Sequence, residues 1–193
     1  MLNRRAYGVL LHPSSLPGRE PIGTLGMEAF EFVDWLVSAD ASIWQTLPLT
    51  MNGKFESPYF SLSAFAGNIW LIDVAGLADA GLVDFDELDA YLHAHPLDAR
   101  VDFARLYRVK WPVLVAAADR FLAADDHPWR ADHDDFVARS SAWLDDTCRF
   151  FAIREARGTP DWWTWPDAER TRTPEALAEV DRTLAASIAR WRS

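Results

Sequence analysis

Two short apolar runs with one amphipathic helix between them constrain the fold of this chain more than any other feature. The first run is Tyr7-Gly-Val-Leu-Leu11, closed by His12-Pro13, and the second runs from Ser42 to Leu49. From Met27 to Ala39 apolar residues recur at helical spacing: Ala29, Phe30, Val33, Leu36 and Val37. Short, almost wholly apolar runs are typical of strands buried on both faces of a parallel sheet. The pattern predicts one right-handed βαβ unit, with His12 and residues 50–59 emerging at the same end of the sheet.

The chain changes to helical patterns after Asp73, although Asn68 to Val74 could form one further short strand. Asp84 and Glu87 have the spacing of a capping box, and Pro112 should kink or split a helix that begins near Asp102. A third helix is predicted from Asp134 to Arg157, with Phe136, Trp143, Leu144 and Phe151 as buried anchors. A last helix should begin at Thr173-Pro174 and present one stripe formed by Leu177, Val180, Leu184, Ile188 and Trp191. Residues 123–133 and 158–172 are the linker candidates.

Charge and cysteine content narrow the class of protein. The net charge of -10, from 29 acidic and 19 basic residues, offers no basic stripe for a phosphate backbone, so nucleic acid is not the expected partner. Cys148 has no partner thiol, which excludes an internal disulfide and favours a reducing compartment such as the cytoplasm. The apolar run after Arg4 and Arg5 is too short for a secretory signal or a membrane span. We therefore expect a protein that is neither exported nor anchored in a membrane.

The stretch from Ser57 to Asp73 joins a polar, aromatic turn to an apolar run. Pro58 fixes one backbone angle and holds Ser57 extended, so Ser57 and Tyr59 should be presented from a stiff loop. A phenol ring beside hydroxyl groups suits a pyranose, which offers an apolar face and a rim of hydrogen-bonding groups. The stretch therefore indicates a surface for sugars.

This stretch, together with three earlier motifs, resembles the amino-terminal part of the amylomaltases, the 4-alpha-glucanotransferases of glycoside hydrolase family 77. The earlier motifs are Tyr7-Gly-Val-Leu-Leu-His-Pro-Ser-Ser-Leu-Pro-Gly18, Ile22-Gly-Thr-Leu-Gly26 and Ile43-Trp-Gln-Thr-Leu-Pro-Leu49. Weaker matches follow at Arg100 to Phe103, Lys110 to Pro112, Trp143 to Asp146 and Trp162 to Pro166. The resemblance spans nearly the whole chain but only the first part of the family's length.

The resemblance implies an α/β fold: an incomplete (β/α)8 TIM barrel followed by a mainly helical inserted subdomain. Residues 1–60 would supply the first two strand units, and residues 61–193 would form the insertion, ending before the remaining barrel. A closed barrel of this kind needs at least about 200 residues, so it cannot close within this chain. The uncovered barrel surface and the uncovered stripe of the final helix should cause oligomerisation or aggregation of the isolated chain.

The resemblance also implies a reaction. Retaining transfer between α-1,4-glucans uses two carboxyl groups about 5 to 5.5 Å apart, one as nucleophile and one as acid. In the family these groups lie on later barrel strands, and no segment here matches their motifs. We therefore expect no catalytic residue in this chain, and an isolated chain that is inactive.

The candidate substrate-binding residues are Tyr59, Ser57 and His12, with Glu56 and Asn68 as weaker candidates. In the resembling family the tyrosine stacks on the sugar beside the scissile bond, and the serine belongs to the same surface. The structural alternatives are a stiff turn with a half-buried phenol, a loop capped by the His12 imidazole, and an Asn68 that satisfies backbone groups. The structural alternative for Glu56 is an ordinary exposed loop glutamate.

Other motifs point less clearly to function. Trp162, Trp163 and Trp165 form a cluster that either packs subdomains together or provides a platform for glucans. His93 and His95 would not share a helix face, and Gly23 and Gly26 do not form a phosphate loop, so neither a metal nor a cofactor is expected.

Departures from the family pattern concern the sugar contacts. Lys54 stands where a tyrosine is common, Glu56 where aspartate is usual, and Phe103 where a tyrosine is frequent. Three functions stay open from the sequence: the amino-terminal piece of a 4-alpha-glucanotransferase, a stand-alone module that binds glucan or another partner, and a structural helical domain with a vestigial sugar loop.

Overall fold

The two apolar runs form a two-stranded parallel sheet in the computed structural model, which describes residues 5–52, 57–94 and 100–193. Strand β1 is Gly8–Leu10 and strand β2 is Ile43–Gln45, with Gly8 opposite Ile43 and Leu10 opposite Gln45. The strands can approach closely at Gly8, where an added Cβ would lie 2.0 Å from the Ile43 carbonyl oxygen. Helix α1, Met27–Ser38, connects the strands. The predicted strand, helix and parallel strand are confirmed.

The predicted burial of this unit is wrong in part. Leu10 is 56% exposed, because β1 pairs with β2 alone within the described part of the chain. Helix α1 contacts the sheet through the Phe32 ring, which packs edge to face on Trp44 of β2 with centroids 4.9 Å apart, and its buried residues are Ala29 and Leu36. Phe30, Val33 and Val37, which belong to the apolar pattern of α1, are exposed. The strand pair therefore has the residue pattern of a buried sheet, but the described residues leave part of it exposed.

The chain divides into two compact units, Met1–Ala117 and Ala118–Ser193. After β2 the first unit contains a 3₁₀ turn at Ile69–Leu71, helix α2 at Val74–Asp79, helix α3 at Phe85–His93 and most of helix α4, Phe103–Ala123. The second unit contains the end of α4 and helices α5, α6, α7 and α8, which are Arg130–Arg157, Asp167–Arg170, Pro174–Thr183 and Ala185–Arg192. No helix in the described ranges has the length and apolarity to cross a membrane.

Side-chain caps explain why Asn68 to Val74 is not a strand. The Asn68 side chain accepts a hydrogen bond from the Trp70 amide, which closes the 3₁₀ turn. The Asp73 carboxylate accepts hydrogen bonds from the amides of Ala75 and Gly76, at 3.2 and 3.0 Å, and so begins α2. Two caps within six residues favour helical turns over extended backbone. The capping box predicted for Asp84 and Glu87 is confirmed at the start of α3.

A buried ion pair lies at the centre of the first unit. Lys110 Nζ lies 2.7 Å from Glu20 Oε2, and the two side chains are 0% and 8% exposed. Glu20 also accepts hydrogen bonds from the Val74 amide and the Tyr91 hydroxyl, both at 2.8 Å, while Lys110 donates to the Trp70 carbonyl at 3.1 Å. Each charge therefore has several hydrogen-bond partners, which is the condition under which a buried ion pair is tolerated. Helix α4 continues through Pro112 and is not split there.

The second unit is built around α5, whose C-terminal half supplies most of a buried cluster. The cluster contains Leu144, Cys148, Ala152, Ile153, Trp165, Val180 and Ile188, with Trp143, Leu184 and Trp191 packed against it. Phe136, one of the predicted anchors, is exposed. The predicted last helix is two helices, because the backbone at Leu184 leaves the helical conformation (φ -110°, ψ 17°). Its apolar stripe packs into this cluster, so the expectation that it would be uncovered is wrong.

Candidate functional site

The loops that follow β1 and β2 meet at the carboxyl ends of the two strands. The Leu11 amide donates to the Gln45 carbonyl at 3.0 Å, and the Trp44 indole donates to the Leu11 carbonyl at 2.8 Å. One residue further on, His12 Nε2 lies 3.3 Å from the Pro48 carbonyl oxygen. The predicted gathering of these loops at one end is therefore confirmed for His12 and the chain just after β2.

The His12 imidazole joins two loops. Its Nδ1 accepts a hydrogen bond from the Ser14 amide at 3.3 Å, so the His12 side chain caps the 3₁₀ turn Pro13–Ser15. The same nitrogen lies 2.7 Å from the Ser14 hydroxyl oxygen. A neutral ring with its proton on Nε2 satisfies both sides, since it accepts at Nδ1 and donates to Pro48. Partial burial lowers the pKa of His12, which favours this neutral form. The structure thus gives His12 the capping contacts of the structural alternative, and its sugar contact stays a prediction.

The segment after β2 folds back on itself through two antiparallel bridges. Thr50 pairs with Gly67, and Asn52 pairs with Ser61. Met51, between the two bridged positions, is almost fully buried. Residues 57–60 therefore lie in the part of the loop enclosed by the pairing of Asn52 with Ser61.

The turn at Ser57 presents Tyr59 to solvent. The Ser57 hydroxyl accepts a hydrogen bond from the Tyr59 amide at 3.3 Å, and the Ser57 carbonyl accepts one from the Phe60 amide at 3.0 Å. Tyr59 is 74% exposed, more than the half-buried phenol of the structural alternative. An aromatic ring held on a hydrogen-bonded turn can offer its face to a ligand at little cost in side-chain entropy.

Asn68 lies beneath this loop rather than on its surface. Its side chain is buried, accepts a hydrogen bond from the Trp70 amide at 3.1 Å and donates one to the Asn52 side-chain oxygen, Oδ1, at 3.4 Å. Its own amide donates to the Leu49 carbonyl at 2.9 Å. Asn68 therefore has the backbone-satisfying contacts of the structural alternative, as part of the support for the loop. Glu56 and Lys54 fall outside the described residues.

Two aromatic side chains of the loop were not singled out from the sequence. Phe60 and Phe65 are exposed together with Tyr59, although phenylalanine in an apolar stretch usually indicates a core position. Their spacing within a serine-rich segment, Ser57 to Ser63, is the signal that could have marked them as surface residues.

The tryptophan cluster separates into two kinds of residue. Trp165 is buried, donates its indole hydrogen to the Thr159 carbonyl at 3.2 Å and packs against Phe150. Trp162 and Trp163 are exposed. Only part of the cluster therefore performs the packing role.

Both the fold and the sequence of this chain are similar to those of known carbohydrate-active enzymes, the 4-alpha-glucanotransferases. An amylomaltase from Streptococcus agalactiae in complex with acarbose superposes with a TM-score of 0.87 over 98% of this chain, at 38% identity. The family model described as 4-alpha-glucanotransferase matches residues 11–193. A 4-alpha-glucanotransferase of Thermus thermophilus is 40% identical over 185 residues, and the chloroplastic or amyloplastic enzyme of Solanum tuberosum is 39% identical.

The chain therefore belongs to the 4-alpha-glucanotransferase family, as its motifs suggested. The matched part is amino-terminal. The alignments cover 96% and 92% of this chain, but 36% of the Thermus thermophilus protein and 31% of the Solanum tuberosum protein. The Streptococcus agalactiae amylomaltase is covered to 38% of its length. The chain thus spans about a third of the length of these relatives.

Proposed function

We propose that these 193 residues form the amino-terminal part of a 4-alpha-glucanotransferase and bind α-1,4-glucan at the carboxyl ends of β1 and β2. The observation that carries the proposal is the hydrogen-bonded turn after β2, which exposes the Tyr59 ring in a chain of this family. Tyr59 stacks on a glucose ring, and the Ser57 hydroxyl borders the same surface. His12 contributes by fixing the loop after β1 against Pro48, and its neutral ring can exchange one hydrogen bond for a sugar hydroxyl.

In this proposal β1, α1 and β2 are the first elements of a (β/α)8 barrel. Residues 1–60 belong to the barrel and residues 61–193 to a helical insertion between early and later strands. The parallel pairing of β1 with β2 across one helix supports this assignment, since it is the repeating unit of such a barrel. The exposed Leu10 and the exposed stripe of α1 support it as well, because later strands and helices would cover them.

The proposed reaction is retaining transfer of α-1,4-glucan segments. Its two carboxyl groups come from barrel strands that follow in a longer polypeptide, and its covalent intermediate forms on that part of the protein. This stretch supplies glucan contacts and no catalytic group, so the 193-residue chain alone binds glucan without transferring it. Nothing in the proposed role requires a cofactor.

A titration with maltoheptaose tests the role of Tyr59. Tyr59→Ala should lose one bound maltoheptaose per chain in isothermal titration calorimetry, whereas Tyr59→Phe keeps the stacking face and should retain it. Phe85→Ala is the matched control, because Phe85 is an aromatic residue of similar exposure, 69%, at the start of α3. A titration by Tyr59→Ala that matches the unsubstituted chain would refute the assignment.

We propose further that the isolated chain self-associates through α1 and β1. Phe30, Val37 and Leu10 are exposed on these elements, and exposed apolar faces next to an unpaired strand edge favour association. Sedimentation velocity should show species larger than 21.8 kDa at micromolar concentration. A monodisperse monomer would argue against this assignment of the surface.

A further inference from the structure

The second unit carries a pair of exposed indoles that the glucan site after β2 does not use. Trp162 and Trp163 are 49% and 61% exposed, although tryptophan is usually well buried. Their ring centroids lie 6.1 Å apart, and their planes are inclined by 80°. Two nearly perpendicular rings present faces in two directions from one point of the surface.

The segment that carries these rings is held firmly. Trp162–Thr164 is a 3₁₀ turn in which the Thr164 amide donates to the Asp161 carbonyl at 2.8 Å. Directly after this turn, Trp165 is buried in the cluster formed by α5, α7 and α8. Its indole N–H donates a hydrogen bond to the Thr159 carbonyl. The two exposed rings therefore sit on a fixed support, so a ligand that stacks on them does not have to order a loose loop.

The residue just before the two tryptophans, Asp161, carries a carboxylate. Asp161 is the N-cap residue of the turn, yet its side chain makes no capping hydrogen bond to it. A carboxylate accepts hydrogen bonds from hydroxyl groups, and such charge-assisted bonds are among the stronger ones in proteins. The site thus combines apolar ring faces with one strong acceptor.

This combination fits a neutral polyhydroxylated ligand better than the alternatives. The net charge of -10 and the adjacent Asp161 disfavour phosphates and other anions. Two half-exposed indoles contribute at most about 250 Å² of contact, well below the roughly 1,000 Å² of a stable protein interface. A pyranose has both an apolar face for stacking and hydroxyl groups for the carboxylate.

We propose that Trp162, Trp163 and Asp161 form a second glucan-binding site, separate from the loop at Tyr59. The choice of α-1,4-glucan as the ligand rests on the proposed function of the chain. Successive glucose rings of such a glucan are turned relative to one another, so two rings of the ligand can stack on two inclined indoles. The site holds glucan and performs no chemistry.

Equilibrium dialysis with labelled maltoheptaose tests the proposal by stoichiometry. The 193-residue chain should bind two molecules, and Trp162→Ala/Trp163→Ala should bind one. Asp161→Asn, which leaves both rings in place, should weaken one of the two sites about tenfold. Trp129→Ala is the matched control at another exposed tryptophan and should still bind two molecules. Far-UV circular dichroism establishes that each variant is folded.

The outcomes separate this proposal from the proposed function. If the unsubstituted chain binds one molecule and loses it with Tyr59→Ala, the second site is refuted and the loop at Tyr59 stands. If the single molecule is lost only with the tryptophan pair, the role of Tyr59 is refuted. Unchanged binding by both the double tryptophan variant and Asp161→Asn would overturn the proposal.

Discussion

Replacing Lys110 by methionine should destabilise the first unit far more than the loss of an ordinary surface charge. Methionine keeps most of the aliphatic length of lysine but removes the ammonium group that faces Glu20. Glu20 would then keep two hydrogen-bond donors, the Val74 amide and the Tyr91 hydroxyl, and no cation. An uncompensated charge would remain in a site where the two side chains are 0% and 8% exposed.

The burial of the pair determines how much stability should be lost. Removing one partner of a buried ion pair costs about 3 to 5 kcal/mol, most of which is the penalty for the charge left behind. The matched control is Arg139→Met, since Arg139 pairs with Asp135 at 2.9 Å on the surface of α5. Loss of that exposed pair should cost less than about 1 kcal/mol.

Urea unfolding followed by circular dichroism measures both values. A Glu20→Gln/Lys110→Met double variant completes the cycle, and it should be less destabilised than the sum of the single variants by about 1 to 3 kcal/mol. A cost for Lys110→Met as small as that of Arg139→Met would refute the reasoning, as would single-variant costs that simply add.

The loss of stability caused by Lys110→Met should depend on pH in a definite direction. Burial raises the pKa of Glu20, and the attraction of Lys110 opposes that rise, so Lys110→Met should raise the pKa of Glu20 further. A carboxyl whose pKa is higher in the folded state stabilises that state at low pH and loses this contribution as the pH rises through the folded pKa. The difference in the free energy of unfolding between Lys110→Met and the unsubstituted chain should therefore become smaller as the pH falls from 7 towards 5.

Three further changes test the fold at single positions. Asp73→Ala removes the cap on the amides of Ala75 and Gly76 and should cost about 1 kcal/mol in urea unfolding, while an unaltered midpoint would contradict the capping assignment. Gly158→Ala forces a Cβ into left-handed backbone at φ +66° after α5 and should cost about 1 to 2 kcal/mol, whereas Gly67→Ala, where the added Cβ meets no atom within 4 Å, should not. Burial raises the pKa of Cys148 to about 11, so iodoacetamide at pH 8 should label it only after unfolding, and rapid labelling of the folded chain would contradict its burial.

Local patterns in the sequence were enough to predict β1, α1, β2 and the start of α3. Two short apolar runs around one amphipathic helix predicted the parallel pairing of β1 with β2, and the Asp84 and Glu87 spacing predicted the start of α3. The apolar run at Ile69–Leu71 was harder to interpret, because its periodicity suits a strand and its flanking caps suit helical turns. The caps decided the outcome, since each gives the backbone a hydrogen bond that an extended strand would forgo.

Long-range partners could not be read from the sequence. Lys110 lies on a helix and carries a charge, which predicts an exposed side chain, and its partner Glu20 is 90 positions away. At the candidate site the stiff turn at Ser57 was predictable from Pro58, whereas the exposure of Phe60 and Phe65 depends on how the whole loop folds back. Burial is set by contacts between distant segments, so it follows from the structure and not from local pattern.

Incubation of the purified 193-residue chain with maltotriose tests the central claim most directly. The claim is that this stretch supplies glucan contacts to a 4-alpha-glucanotransferase, while the two carboxyl groups lie elsewhere in a longer polypeptide. Chromatography should show maltotriose unchanged against a blank without protein. Glucose together with maltodextrins longer than maltotriose, above that blank, would show that the chain transfers glucan by itself and would contradict the account.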